Sequence, residues 1–283
     1  MKSMLIRTIF LSLFVTAIVG GMFLHGARTS ERGTEVIFLD VGQGDAILIR
    51  QGRNQILIDG GRSGKTLLTA VSRHIPFWDR TIEVVIATHP DADHIGGLPA
   101  LIRNYRLGTF VSTAVASESE TYRYLQQSIG EYPPARRLTS RRGMAFSFPG
   151  GGRLETLFPE DGEHVAGESN ETSIVTRFSF GGTDFLLAGD LPREESFIPD
   201  VPASEILKLS HHGSKYSSSE AFLARVRPEE AVVSVGENSY GHPAPEALGR
   251  ARKAGAAIRR TDESGDIVYR CVVETDRCVF AGH

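Results

Sequence analysis

Short apolar runs separated by polar breaks recur along this chain. Val36 to Val41, Ala46 to Ile49, Gln55 to Ile58, Val84 to Ala87, Leu154 to Phe158, Ser173 to Phe180, Asp184 to Ala188, Ile206 to Leu209, Ala231 to Val235 and Ile267 to Val273 have the length and composition of strands. Between them, Lys65 to Ile75, Leu98 to Tyr105, Glu118 to Ile129, Ser218 to Val226 and Pro245 to Ala254 read as helices. Hairpin-like strands in each half with helices interspersed predict two mixed sheets covered by helices on the outside. Pro133 to Gly152 is rich in Pro, Arg and Gly with little periodicity, and reads as a surface excursion; His164 to Asn170 is similar.

One break carries unusual chemistry. After the strand-like run ending at Ala87, His89-Pro90-Asp91-Ala92-Asp93-His94 packs two imidazoles and two carboxylates into six residues, and Gly96-Gly97 then opens a helix. A strand-to-helix loop lets several side chains converge while the scaffold on both sides stays rigid, so His89, Asp91, Asp93 and His94 are candidate metal ligands. A helix N-cap would account for one carboxylate and leave the other three residues without a role. Asp40 and Asp45, candidates to support a ligand or touch substrate, flank Val41-Gly42-Gln43-Gly44, whose glycines would either let backbone amides approach an anion or simply make a tight turn.

His-x-Asp-x-Asp-His followed by Gly-Gly resembles the signature loop of the metallo-β-lactamase superfamily, whose usual form is His-x-His-x-Asp-His; the departure is Asp91. With Leu39-Asp40-Val41-Gly42-Gln43-Gly44-Asp45-Ala46 upstream, and Ser210-His211-His212-Gly213-Ser214 and Asn238-Ser239-Tyr240-Gly241-His242-Pro243 downstream, the chain is similar to the extracytoplasmic domain of ComEC-type competence proteins from about Val36 to about Tyr269. The resemblance implies an α+β fold, an αββα sandwich of two mixed β-sheets flanked by helices, with a metal site at one edge of the sheets. It implies a bridging ligand at Asp190 and a further histidine ligand, taken as His211, with His212 beside it supporting a ligand or touching substrate. Asp59 would orient the ligand loop, and His242 would hold a phosphate oxygen or donate a proton. A further superfamily histidine has no counterpart in Glu168-Ser169-Asn170-Glu171-Thr172-Ser173, so the half of the site nearer His89 is expected to bind metal weakly, with substrate, or to take a different metal. Mixed imidazole and carboxylate donors suit one or two zinc or manganese ions, and Asp91 in place of an imidazole shifts the balance toward manganese. His25, His74, His164 and His283 lack such company and read as structural or solvated.

A chain of 283 residues, 41% hydrophobic, is long enough for one large core, and no internal repeat divides it. A formal net charge of −3 excludes a general electrostatic affinity for nucleic acid. Contact with DNA would have to come from local patches, of which Arg136-Arg137 with Arg141-Arg142, and Arg250, Arg252 and Lys253 with Arg259-Arg260, are candidates. Thr8 to Leu24 is uncharged, mostly apolar and preceded by Lys2 and Arg7, the layout of an export signal or a membrane anchor; as a helix it would cover roughly 26 Å of a hydrocarbon core of about 30 Å. His25-Gly26-Ala27-Arg28 offers no clear cleavage site, which favours an uncleaved anchor. Residues 1–30 are thus assigned to signal or anchor, and residues 34–283 to an extracytoplasmic hydrolase domain. Cys271 and Cys278 are spaced for a disulfide across a hairpin, with Cα atoms about 4.4–6.8 Å apart.

Together these readings favour an exported metal-dependent phosphodiesterase or nuclease, competence-related, acting on DNA or another phosphodiester, with membrane attachment through the N-terminal segment. Competence proteins of this type also carry a multi-helix channel, for which 283 residues with one apolar run leave no room. The alternatives are a metallo-hydrolase of another ester (nucleotide, phospholipid head group or lactone) and a non-catalytic metal-binding module of a DNA-uptake complex.

Overall fold

Strand register and helix packing place the loops singled out above at one end of two sheets. The computed structural model describes residues 33–160 and 168–282. The segment read as signal or anchor, and His25, His164 and His283, lie outside the described residues. Among the described residues, no helix is long and apolar enough to cross a membrane.

Strands β1 (Gly33–Phe38), β2 (Ile47–Gln51), β3 (Asn54–Ile58), β4 (Thr81–Ala87), β5 (Arg106–Ser112) and β6 (Arg136–Thr139) join the C-terminal hairpin β14 (Ile267–Val272) and β15 (Arg277–Gly282) in a sheet of order β15-β14-β1-β2-β3-β4-β5-β6. The second sheet contains β7 (Ala145–Ser147), β8 (Arg153–Phe158), β9 (Val175–Phe180), β10 (Thr183–Leu187), β11 (Ile206–Lys208), β12 (Glu230–Val233) and β13 (Ala257–Arg260), in order β13-β12-β11-β10-β9-β8-β7. Both sheets are mixed: β3 to β6 and β10 to β13 run parallel, and the hairpin-connected strands antiparallel.

Period-two alternation sorts the side chains into layers. In β1 and β2, Val36, Phe38, Ile47 and Ile49 face the second sheet, where they meet Phe178 and Phe185, with Tyr269 of β14 beside them. Ile37 and Leu48 face the other way, toward the residues of α1 (Gly64–His74), α3 (Leu98–Asn104) and α4 (Glu120–Glu131). Leu186, Leu207 and Val233 of the second sheet likewise pack on Phe222 of α6 (Glu220–Val226) and Leu248 of α7 (Pro245–Lys253). Short helices α2 (Ala92–Ile95), α5 (Glu194–Phe197) and α8 (Thr261–Ser264) complete the set among the described residues. The result is an αββα sandwich. Burial on both faces explains why the central strands read as continuous apolar runs.

Pro133 to Gly152 differs from expectation, because it contains β6 and β7. All four residues of β6 are exposed, and an edge strand without a buried face leaves no apolar alternation to read. The basic clusters are partly neutralised: Arg142 pairs with Glu160 and Asp200, Lys253 with Glu220, Arg259 with Glu230, and Arg260 with Asp262. Cys271 and Cys278 are bonded and face each other directly in the β14–β15 register. Their Cα atoms lie 3.8 Å apart, closer than the sequence expectation.

Asp266, just before β14, ties the first sheet to α1. Its carboxylate accepts from the Asp40 amide at 2.8 Å and from Arg73 at 2.7 and 2.8 Å, and it contacts His74 Nε2 at 2.7 Å. Burial opposes ionisation, yet the contacts with His74 and Arg73 hold this carboxyl well below the usual carboxylate range. A depressed folded-state pKa stabilises the fold above the unfolded value near 3.9, and that contribution is lost as pH falls toward the folded-state value. Asp266→Asn should therefore unfold at lower urea than wild type at pH 6, and the gap should narrow below about pH 4. A gap independent of pH would contradict this assignment.

Candidate metal centre

The ends of β3, β4, β10, β11 and β12 deliver the site. Asp59 follows β3 in a left-handed conformation (φ 60°) and is fully buried. Its Oδ1 accepts from the Thr88 amide at 2.8 Å, while its Oδ2 accepts from Thr88 Oγ1 at 2.6 Å and from His94 Nδ1 at 2.8 Å. One strained residue thus fastens the ligand loop and directs His94 Nε2 away from β3. Behind that loop Gly44 allows a close approach: its φ is 129°, and a Cβ there would lie 2.1 Å from the Asp93 carbonyl oxygen.

From the second sheet comes Asp190, buried just beyond β10, its Oδ2 3.1 Å from His94 Nε2 and 3.2 Å from His212 Nε2. His212 donates Nδ1–H to the Ser234 carbonyl at 2.8 Å, which leaves Nε2 facing Asp190 and, at 3.5 Å, Asp93. Ligand atoms of His89, His94 and Asp190 lie within 4.8 Å of one another, and so do those of Asp93, His94 and His212. Asp91 is more exposed, with Oδ2 3.8 Å from His89 Nε2.

The two adjacent histidines exchange their expected places. His212, expected beside the ligands, reaches the cluster; His211, expected as the ligand, belongs to none of these groups and stacks edge-on against His242 with ring centroids 5.1 Å apart. The cause is backbone conformation. His211 and His212 both adopt left-handed φ (49° and 52°), with Gly213 at 77°, so the chain turns sharply after β11 and only the second ring points inward. Asp40 follows the tight-turn alternative. Its carboxylate accepts from the Gly42 amide at 3.1 Å and closes its own turn rather than facing the cluster. Asp45, by contrast, is buried within the cluster, 3.5 Å from His212 Nδ1 and 3.8 Å from His94 Nδ1.

Lys208, the last residue of β11, went unnoticed in the sequence because a lone lysine in an apolar run reads as a solvent-facing position. Its fully buried ammonium donates to the Gly189 carbonyl at 2.8 Å, lies 3.3 Å from Asp190 Oδ1 and pairs with Asp45. Burial alone would lower its pKa, but Asp45 and Asp190 raise it, so the lysine is charged. Ser173, at the end of the segment that lacks a histidine, lies on the His89 side of the cluster. Its Oγ accepts from the Asp190 amide at 3.2 Å and lies 3.3 Å from His89 Nδ1.

Electrostatics favour a cation at this point. Nε2 of His89, His94 and His212 are buried without a hydrogen-bond partner. Because Nδ1 of His94 and of His212 already donate, a neutral ring at either position turns the Nε2 lone pair toward carboxylate oxygen. Protons on the rings, or a metal among them, would relieve that repulsion. Burial opposes charging His212, but Asp190 and Asp93 push its pKa up to about 9. His94 is raised for the same reason by Asp190 and Asp59. His89, fully buried beside His94, is pushed down to about 3 and presents a neutral imidazole. Asp93 and Asp190 stay ionised: burial works against them, but His212 and His94 hold both carboxyls far below the ordinary range. Imidazole and carboxylate converging in this way fit a divalent metal.

Beyond the cluster, His242 is half-buried, its ring 6.5 Å from that of His212. Burial and the neighbouring His211 and His212 push it down to about 4, so it is neutral near pH 7. His74 contacts Asp266 at 2.7 Å and belongs to none of the clustered groups.

Comparison with known proteins agrees with this geometry. Competence protein ComA of Neisseria gonorrhoeae is 31% identical over 265 residues, covering 90% of this chain and 35% of that protein. ComE operon protein 3 of Bacillus subtilis is 28% identical over 279 residues, covering 88% of this chain and 34% of that protein. The chain thus spans about a third of the length of these relatives. Among solved structures, the metallo-beta-lactamase fold protein YhfI from Bacillus subtilis superposes with a TM-score of 0.57 at 14% identity, over 84% of this chain and 99% of that one. CmlA, a diiron beta-hydroxylase from Streptomyces venezuelae, gives 0.55 at 14% identity over 85% of this chain and 54% of that one; at such identities the likeness is one of fold. The family model for the metallo-beta-lactamase superfamily matches residues 39–237, and the chain belongs to that superfamily.

Proposed function

We propose that this protein is an exported, metal-dependent phosphodiesterase that acts on DNA in a competence-related role. The observation that carries the reading is the convergence of three partnerless buried Nε2 atoms, of His89, His94 and His212, on the ionised Asp190. Asp93, His94, Asp190 and His212 would hold one cation, and His89, Asp91 and Asp190 a second, with Ser173 in place of a third imidazole on that side. Similarity to competence proteins favours DNA as substrate, and the Cys271–Cys278 bond and the apolar N-terminal run favour a place outside the cytoplasm or at the membrane.

A bound zinc or manganese supplies Lewis acidity, lowering the pKa of water and countering charge that builds on phosphoryl oxygen. The protein's own groups do the rest. Asp59 and the Ser234 carbonyl fix the tautomers of His94 and His212, so both rings present Nε2 to the centre. Asp93 remains an anion and can accept a hydrogen bond from the attacking water, orienting it toward phosphorus. His242, neutral at pH 7, offers an N–H to a phosphoryl or leaving-group oxygen rather than a fixed positive charge.

Cleavage of single-stranded DNA, duplex DNA and a generic bis-phosphodiester by the manganese- or zinc-loaded protein tests the reading. Chelator should abolish activity, and Asp93→Ala should do the same. His242→Ala should lower turnover by about 10² to 10⁴-fold while metal content is retained. Loaded wild-type protein that cleaves none of the three substrates would overturn the proposal.

A further inference from the structure

Next to the metal cluster the loops line an open cleft of ≈ 400 Å³ that takes no part in the steps above. Val41 and Gln43 of the β1–β2 loop form one wall, Arg62 and Ser63 before α1 another, and Glu237 to Tyr240 after β12 the third. It adjoins the cluster directly: Gly44, beside Gln43, packs on the Asp93 carbonyl, and the Tyr240 ring lies 6.0 Å from that of His242. The geometry points to a nucleobase-binding subsite here, with the base stacked on Tyr240 and its polar edge met by Gln43, Arg62 and Glu237. This deepens the phosphodiesterase reading and rests on it.

Three observations carry the assignment. Tyr240 is 63% exposed in spite of its size, yet it is held in place. The Asn238 side chain accepts from the Tyr240 amide at 3.0 Å and the His242 amide at 3.1 Å, and donates to the Gly236 and His242 carbonyls at 2.8 Å each. One amide group therefore fixes the backbone that carries both Tyr240 and His242, whose rings lie 6.0 Å apart, so a base resting on the first would place its phosphate near the second. The lining also has the wrong chemistry for a bare anion or an apolar group. Arg62 and Glu237 offer opposite charges, and Gln43 Nε2 is a buried donor without a partner. A planar, neutral ligand carrying both donors and acceptors on its edge satisfies this set, and a nucleobase is such a ligand. Volume agrees, since ≈ 400 Å³ lies in the range of small-ligand pockets. Finally, stacking on an aromatic face tolerates every base, so the subsite would accept DNA of any sequence.

The test uses the full chain in detergent, with chelator present so that no strand is cut. Fluorescence anisotropy compares a labelled single-stranded oligonucleotide with an abasic strand of equal length and charge, so that phosphate terms and repulsion by the carboxylates cancel. Wild type should bind the base-containing strand more tightly. Tyr240→Ala should weaken that binding roughly 5- to 150-fold and leave the abasic strand unchanged, while Tyr240→Phe should restore the preference. Equal binding of both strands by wild type, or a preference that survives Tyr240→Ala, would overturn the subsite. Neither result bears on whether phosphodiesters are cleaved, which the activity assay decides separately.

Discussion

His212→Ala should strip the protein of metal, and His211→Ala should leave metal content close to wild type. Two neighbouring histidines, alike in composition and spacing, are set apart by side-chain direction: His212 Nε2 lies 3.2 Å from Asp190, while His211 joins none of the clustered groups. Losing even a hydrogen-bond partner of a ligand typically weakens metal affinity about 10–100-fold, and losing a donor atom should exceed that. Metal content after dialysis and titration calorimetry with manganese and zinc would measure the difference. His211→Ala should still disturb catalysis through its contact with His242, so metal content rather than activity is the discriminating reading. If His211→Ala loses metal and His212→Ala keeps it, the inward-facing histidine has been misassigned.

Lys208→Met should be among the most destabilising single changes in this domain. Its ammonium is completely buried and meets Asp45, Asp190 and the Gly189 carbonyl. Removing one partner of a buried ion pair leaves the other charge uncompensated, and typically costs about 3–5 kcal/mol. Asp45 is 2% exposed and has no route to water. Urea unfolding in chelator should register the loss, because added metal would mask part of it by supplying positive charge. Pairing the change with Asp45→Asn should recover much of the stability, since the double variant no longer buries an orphan carboxylate. A Lys208→Met protein within about 1 kcal/mol of wild type would show that the lysine is dispensable to the fold.

How much of this was legible beforehand depended on how local each signal is. The ligand loop was readable because four metal-binding side chains fall within six residues on a strand-to-helix connection, where no other role explains them. The central strands announced themselves by being apolar on both faces. β6 did not, because an exposed edge strand carries no alternation. The order of His211 and His212 was illegible for another reason: it depends on consecutive left-handed residues, and nothing in Ser-His-His-Gly fixes where each ring points. Lys208 was missed because its partners, Asp45 and Asp190, are distant along the chain. Asp40 was ambiguous for a different reason. It stands in the same short motif as Asp45, but a carboxylate two residues before an amide closes an Asx turn as readily as it faces a site.

The two sheets contribute separately to the centre, Asp59, His89 and His94 arriving from one and Asp190 and His212 from the other. Neither half of the polypeptide carries a complete coordination set, so a bound metal would stabilise the folded domain as a whole rather than either sheet alone. Free cation at a hundred times its dissociation constant would then add about 2.7 kcal/mol to the whole domain. A molecule that reaches its compartment unfolded would draw on the metal supply found there, so the ion it finally carries would be chosen by the site of folding as much as by its ligands.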